Sequence, residues 1–272
     1  MTSLLSYLDF IFVQRALWVG GFIAAGCGLL GVFLVLRRVS MVGDGLSHVA
    51  FGAIGLALML GWAPLALTLP LVAIASLGIF ILPERAAMYG DAAIGMVSVV
   101  GVATGVLLAS LGGGFNVDVF SFLFGDILAV SRTEARLAVG LALSVAAIIA
   151  LAYHDLFALT FDPVCARVSG IRLVRMNRLL AVLTALMVVL GIRVVGTMLV
   201  SSLLIFPAAT ALQVCRSFRS VLFLSAGLGM VSVLVGICCA LVFNAPAGAV
   251  IVLLHALCFC IALGFRGHRA RG

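Results

Sequence analysis

Residues 16–36 read ALWVGGFIAAGCGLLGVFLVL, an apolar run without a charged residue, and Arg37 and Arg38 follow it directly. A bilayer core about 30 Å thick needs roughly 20 apolar residues for one helical crossing. The run ends in arginines and not in the small residues of a signal-peptide cleavage site. We therefore interpret it as a retained transmembrane helix.

The whole chain of 272 residues is similarly apolar, since 65% of its residues are hydrophobic and 9% are charged. Soluble domains carry about 25% charged residues, so the composition predicts an all-α, polytopic transmembrane helical bundle in a single domain, 1–272. About nine apolar runs provide the spans: 16–36, 46–60, 64–82, 92–111, 134–153, 178–192, 195–213, 220–242 and 247–265. Eight or ten spans stay open, because 46–82 and 178–213 can each be divided in more than one way.

The basic residues indicate the orientation of the bundle. All 16 are arginines, and the formal net charge is +7. With nine spans and a cytoplasmic C-terminus, twelve arginines fall on the cytoplasmic side and four do not. This asymmetry follows the positive-inside rule, which explains the basic charge better than a nucleic-acid partner would. The N-terminus is therefore predicted outside.

Several classes of activity have no support in the sequence. The chain contains no lysine, which a P-loop needs to reach nucleotide phosphates, and no H-E-x-x-H or G-x-S-x-G motif. No loop is long enough to fold as a soluble domain. Any ATP hydrolysis must come from a separate chain, and the seven scattered cysteines are interpreted as packing residues.

Asp44 and His48 are the strongest functional candidates. Residues at i and i+4 share one helix face, so a carboxylate and an imidazole can converge there on one ion. Ionisable groups in a membrane helix usually mark a substrate path or a proton relay. Two other interpretations stay open: Asp44 as the N-cap of the following helix, and His48 as a hydrogen-bonded interior histidine.

Asp91 and His255 are further candidates for a proton relay in a self-sufficient transporter or channel. A simpler prediction is that Asp91 caps a helix beginning near Ala92, and that His255 bonds to a neighbouring backbone carbonyl. Pro207 is expected to kink or end its helix, and Pro246 to open the last one. The many glycines are expected to allow close helix packing.

Two loops are longer than simple turns. The segment 112–132 mixes aromatic and acidic residues and suggests a short interfacial or re-entrant helix. In the segment 154–177, Asp162-Pro163 favours a helix start and Gly170 a helix end, with arginines following. A short basic helix of this kind could dock on a soluble partner, or it could be an ordinary charged juxtamembrane loop.

Residues 37–48 also resemble the R-R-x-x-x-x-x-D-[AG]-[LI]-S-H stretch of the permease subunits of metal-cation ATP-binding-cassette (ABC) importers, the zinc, manganese and iron group. Gly45 stands where many relatives carry alanine. Four further segments are similar to that family, in the same order: Leu123–Leu128 (LFGDIL), Phe161–Gly170 (FDPVCARVSG), Val195–Ala211 (VGTMLVSSLLIFPAATA) and Pro246–Ala249 (PAGA).

The resemblance implies a type II ABC importer-like fold in the bacterial cytoplasmic membrane. It implies a permease dimer, a separate ATPase, an extracytoplasmic metal-binding protein and no tightly bound cofactor. Asp44 and His48 would be transient ligands of the transported zinc, manganese or iron. The ATPase would dock on 161–171, and secondarily on 214–220, with the candidate residues Phe161, Asp162, Pro163, Ala166, Arg167, Gly170, Arg216 and Arg219.

Overall fold

A computed structural model of the protein describes residues 10–86, 89–111 and 131–269. Within these ranges the regular structure consists entirely of α-helices. They are α1 (Ile11–Leu36), α2 (Val42–Leu60), α3 (Pro64–Ala86), α4 (Gly90–Leu111), α5 (Arg132–Leu151), α6 (Tyr153–Phe161), α7 (Pro163–Val168), α8 (Leu173–Val195), α9 (Thr197–Val214), α10 (Phe218–Phe243) and α11 (Ala247–Arg269).

Nine of the helices in the described ranges, all except α6 and α7, are long and apolar enough to cross a membrane. The prediction of an all-α bundle with nine spans is confirmed, with ends that shift by a few residues. The ambiguous region 178–213 contains two helices, α8 and α9. They are separated at Gly196, whose φ of 89° lies in the left-handed region that glycine adopts without strain.

One compact unit contains the described residues 36–86, 89–111 and 148–189. In it, α2 packs closely on α4, and α3 packs on both. Gly45 lies against Ile94, and Gly52 lies against Gly101 further along both helices. Because the contacts advance in the same direction on each helix, α2 and α4 run parallel.

The second compact unit contains the described residues 10–35, 131–147 and 190–269. Here α9, α10 and α11 pack on one another. The helices α1 and α10 meet where a Cβ on Gly28 would lie 2.7 Å from the carbonyl oxygen of Ser225. At the same point the Ser225 hydroxyl donates a 2.7 Å hydrogen bond to the Gly28 carbonyl. The prediction that glycines allow close helix approach is confirmed in both units.

The prolines have different outcomes. The helix α9 runs through Pro207 to Val214, so of the two predicted effects the helix end does not occur, and the kink stays a prediction. Pro246 directly precedes α11 and its carbonyl accepts from Val250 N, as expected for a proline that opens a helix.

The predicted interfacial helix and the LFGDIL segment at 123–128 fall on 112–130, outside the residues that the structure describes. The single domain over 1–272 stays a prediction.

The contact of α2 with α4 gives a stability prediction. A Cβ on Gly101 would lie 2.8 Å from the backbone N and Cα of Val49, and backbone atoms cannot move aside locally. Gly101→Ala should therefore lower the free energy of unfolding by about 1–3 kcal/mol. Gly95→Ala on the same helix is the matched control, because nothing lies within 4 Å of its Cβ position. Thermal unfolding of the two detergent-solubilised variants distinguishes them, and equal melting temperatures would contradict the close approach.

Candidate functional site

The turn that precedes α2 sets the start of the candidate site. After α1 ends at Leu36, Arg38 adopts a φ of 58°, a left-handed conformation that is uncommon for a residue with a side chain. The Arg37 guanidinium lies 5.7 Å from the ring centroid of Phe80 on α3, a cation–π contact. This turn leads the chain directly into α2, whose first turn carries Asp44.

Asp44 and His48 lie one helical turn apart on α2, as the sequence predicts. His48 Nε2 is 3.6 Å from Asp44 Oδ2, and the two side chains are 41% and 49% exposed. Two ligand atoms that each lie about 2.0–2.2 Å from one metal ion can be separated by such a distance. The pair therefore has both the exposure and the spacing to hold a divalent cation between its two atoms.

Two simpler interpretations of these residues do not fit their placement in α2. The N-cap position of α2 is Met41, no side chain caps the helix, and Asp44 lies inside the first turn. The interpretation of Asp44 as the N-cap is therefore wrong, although its charge is favourable near the positive helix end. The interpretation of His48 as an interior histidine is also wrong, because its side chain is substantially exposed.

One chain supplies only part of a coordination sphere at this position. No group of three or more His, Cys, Asp or Glu side chains that could hold a metal ion occurs among the residues that the structure describes. Structural zinc sites usually have four protein ligands. A two-ligand site leaves most coordination positions of a bound ion to water or to another subunit. Because few protein ligands hold the ion, its release is favoured over permanent retention.

Asp91 does not precede its helix as expected. The helix α4 begins at Gly90, one residue earlier, and Asp91 lies exposed in its first turn. Asp91 keeps the favourable placement of a carboxylate at a helix N-terminus.

His255 has a different partner from the predicted backbone carbonyl. It is 2% exposed on α11, and its Nδ1 lies 2.8 Å from the hydroxyl oxygen of Ser202 on α9. The ring also stacks on Phe206 at a centroid distance of 6.3 Å. The residue thus joins two helices of one unit through Nδ1, while its Nε2 is buried without a hydrogen-bond partner in the described part of the chain.

The candidate docking segment, 161–171, folds as the sequence predicts. Asp162 caps α7, since its Oδ1 accepts from Val164 N at 3.1 Å and from Cys165 N at 2.9 Å. Pro163 occupies the first helical position, where its missing N–H costs nothing. The helix ends with Gly170 at a φ of 83°, and Ile171 N donates to the carbonyl of Ala166, as in a Schellman motif.

The same segment presents an apolar surface next to basic residues. Ala166 is buried, whereas Phe161, Val164 and Val168 are 56%, 73% and 85% exposed. Arg167 is also exposed in the last turn of α7. The helix is therefore held from one side, with an exposed apolar and basic surface on the other.

Arg216 and Arg219 belong to the other compact unit and flank the start of α10. Both side chains are exposed. Ser217 caps α10 by accepting from Ser220 N at 3.3 Å. The two arginines therefore lie on either side of a capped helix start.

The sequence reasoning missed an ion pair at the start of α5. Ser131 and Glu134 form a reciprocal capping box, with Ser131 N donating to Glu134 Oε2 and Glu134 N donating to Ser131 Oγ. Arg193 Nε also lies 2.5 Å from Glu134 Oε1, which ties α5 to the end of α8. The S-x-x-E pattern is readable in the sequence, but nothing local in the sequence identifies Arg193 as the partner.

Comparison with known proteins shows the family to which this chain is similar. The model of the ABC 3 transport family matches residues 9–266. The manganese transport system membrane protein MntC of Halalkalibacterium halodurans is 33% identical over 258 residues, covering 95% of this chain and 88% of the relative. A probable iron transport system membrane protein of Haemophilus influenzae is 34% identical over 271 residues, covering 98% of each.

A solved structure is also similar over nearly the full length. The structure described as PsaBC from Streptococcus pneumoniae in complex with Fab contains a chain that is 31% identical to this one. The TM-score is 0.83, and the match covers 95% of this chain and 94% of the other.

The buried contact of His255 gives a second stability prediction. Ser202→Ala removes the hydroxyl at His255 Nδ1 and should lower the free energy of unfolding by about 1–3 kcal/mol, because a buried polar atom loses its partner. Ser144→Ala is the control, since that hydroxyl is exposed and bonds to Leu141 O of its own helix. Thermal melts of both variants in detergent provide the measurement, and a Ser202→Ala variant as stable as the control would refute the contact.

Proposed function

The chain belongs to the ABC 3 transport family, and on that basis we propose that it is the membrane-spanning permease subunit of an ABC importer for a divalent metal cation. The observation that carries the proposal is the coincidence of the family match over 9–266 with the exposed Asp44–His48 pair. Relatives are named for manganese or iron. The cargo of this chain is accordingly manganese, iron or zinc, the ions that a carboxylate and an imidazole both accept.

The Asp44–His48 pair acts as a transient site on the cation pathway. A pathway site must bind strongly enough to admit the ion and weakly enough to release it. With two ligands from each chain, a two-fold dimer would bring four ligands together in one state and separate them in another. The second permease is a copy of this chain or a close paralogue.

Energy for transport comes from a separate ATPase. The chain has no lysine for a P-loop and is not itself an ATPase. The exposed surface of the segment 161–171 is its docking site, centred on Phe161 at the end of α6 and Arg167 on α7, with Arg216 and Arg219 as a secondary contact. The apolar side chains provide buried contact area, and the arginines complement acidic groups on the partner.

The remaining partners follow from the same proposal. An extracytoplasmic metal-binding protein delivers the ion, and the permease lies in the bacterial cytoplasmic membrane as one domain with its C-terminus inside. The arginine asymmetry supports this orientation. Neither a resident cofactor nor nucleic acid has a role in the proposed cycle.

A self-sufficient, proton-coupled transporter is the alternative that an experiment should exclude. It needs ionisable groups that relay protons across the bilayer, and His255 is instead held by Ser202 in the packed interior. Liposomes containing this chain alone should take up no metal under an imposed proton gradient. Uptake under those conditions would support the alternative and contradict the ABC importer.

The pathway site predicts the effect of removing either ligand. Asp44→Ala and His48→Ala should each lower ATP-driven uptake of radioactive manganese at least tenfold, because one ligand cannot hold the ion in place of two. Ser47→Ala is the control, since the Ser47 hydroxyl bonds within α2 to the carbonyl of Asp44 at 2.7 Å. Uptake is measured in liposomes that contain the permease, its ATPase and its binding protein.

Co-purification of the ATPase should be unchanged in both ligand variants, which separates a pathway defect from a failure of assembly. Normal uptake by both variants would remove the proposed site.

The docking surface predicts a separate defect. Val164→Asp places a charge on the exposed apolar surface of α7 and should lower the amount of ATPase that co-purifies with the permease at least tenfold. Val174→Asp is the matched control, because Val174 is also exposed but lies outside 161–171. Pull-down of tagged permease measures both variants, and equal ATPase recovery would place the docking surface elsewhere.

A further inference from the structure

Ser98 lies on the stripe of α4 that packs against α2. Ile94, Gly101 and Gly105 of this stripe contact α2 directly. Ser98 follows Ile94 by four residues and precedes Gly101 by three, and residues at these spacings share one helix face. Ser98 is half-buried, as expected at the margin of such a contact.

The contacts on either side of Ser98 set its level along α2. Ile94 lies against Gly45, and Gly101 lies against the backbone of His48 and Val49. Because α2 and α4 run parallel, Ser98 lies between these two levels. It is therefore at the height of the turn that carries Asp44 and His48.

Ser98 also lies on the same flank of the α2–α4 contact as the two candidate ligands. The other flank is an apolar groove, lined on α2 by Val49 and Ala53 and on α4 by Val97 and Val100. With about 100° between successive residues, Asp44 and His48 lie on the side of α2 away from this groove. The same geometry puts Ser98 on the side of α4 away from it.

The hydroxyl of Ser98 does not bond back to a carbonyl of its own helix, as the hydroxyl of Thr104 does. Thr104 on α4 donates to the carbonyl of Val100 at 2.7 Å, the common back-bond of a hydroxyl in a membrane helix. The Ser98 hydroxyl forms no hydrogen bond with a side chain or carbonyl in the described part of the chain. Its hydroxyl is thus available to a ligand near His48.

We propose that Ser98 is a further positioning residue of the cation pathway, which holds the ion or one of its bound waters beside Asp44 and His48. This inference rests on the proposed function and adds a residue from a second helix to the site. Hard divalent cations keep part of their water shell when few protein ligands are present. A hydroxyl can accept a hydrogen bond from such a water or coordinate the ion directly.

The first test compares two hydroxyl deletions on one helix. Ser98→Ala should raise the KM for manganese uptake about threefold to tenfold, with little change in the maximal rate, because it removes one contact to the hydrated ion. Thr104→Val is the matched control, since its hydroxyl is bonded within the helix on the groove side. An unchanged KM in Ser98→Ala would overturn the inference.

A second variant gives a readout that a purely structural role would not change. Ser98→Cys places a soft thiolate beside His48, so Cd²⁺ should inhibit manganese uptake at about tenfold lower concentration than in the unmodified chain. The same Cd²⁺ sensitivity in both proteins would count against Ser98. Thr104→Cys serves as the positional control and should leave the sensitivity unchanged.

The variants also separate failure of this inference from failure of the proposed function. If Asp44→Ala and His48→Ala abolish uptake while both Ser98 variants behave like the unmodified chain, only the role of Ser98 is wrong. If all four variants transport normally, the pathway site itself is wrong.

Discussion

The close approach of α2 and α4 is the constraint on which the candidate site depends. Within a membrane there is no hydrophobic drive to bring helices together, so their association depends on packing and on hydrogen bonds. Glycines at 52 and 101 let the two backbones meet. Because the helices run parallel in this contact, the first turns of both, with Asp44 on one and Asp91 on the other, lie at the same end of the pair.

The polar groups of the described helices fall into two classes with different consequences. Most are satisfied locally or by a neighbouring helix, as Thr184 is by the carbonyl of Leu180 and Ser76 is by the carbonyl of Ala181. Such groups stabilise the bundle because hydrocarbon offers no water to replace a lost partner. Asp44 and His48 differ, since they remain substantially exposed and are 3.6 Å apart, too far for a direct hydrogen bond.

This division matches a subunit that provides a pathway while its energy comes from elsewhere. The described residues include nine candidate spans, and the sequence has no lysine that could serve a P-loop. The α7 segment exposes apolar side chains, whereas the Asp44–His48 pair exposes ionisable ones. Asp162 caps the start of α7, and Gly170 follows its end.

The sequence by itself determined the helices, the motifs and the family resemblance, because hydropathy, caps and i,i+4 spacing depend on residues close together in the chain. It placed Asp44 with His48, Asp162 at a helix start and Gly170 at a helix end. Only the tertiary structure decided that Glu134 meets Arg193, 59 positions away, and that His255 meets Ser202, 53 positions away. It alone set Gly101 of α4 against the backbone of His48 and Val49, since the register between two packed helices depends on contacts that no local pattern contains.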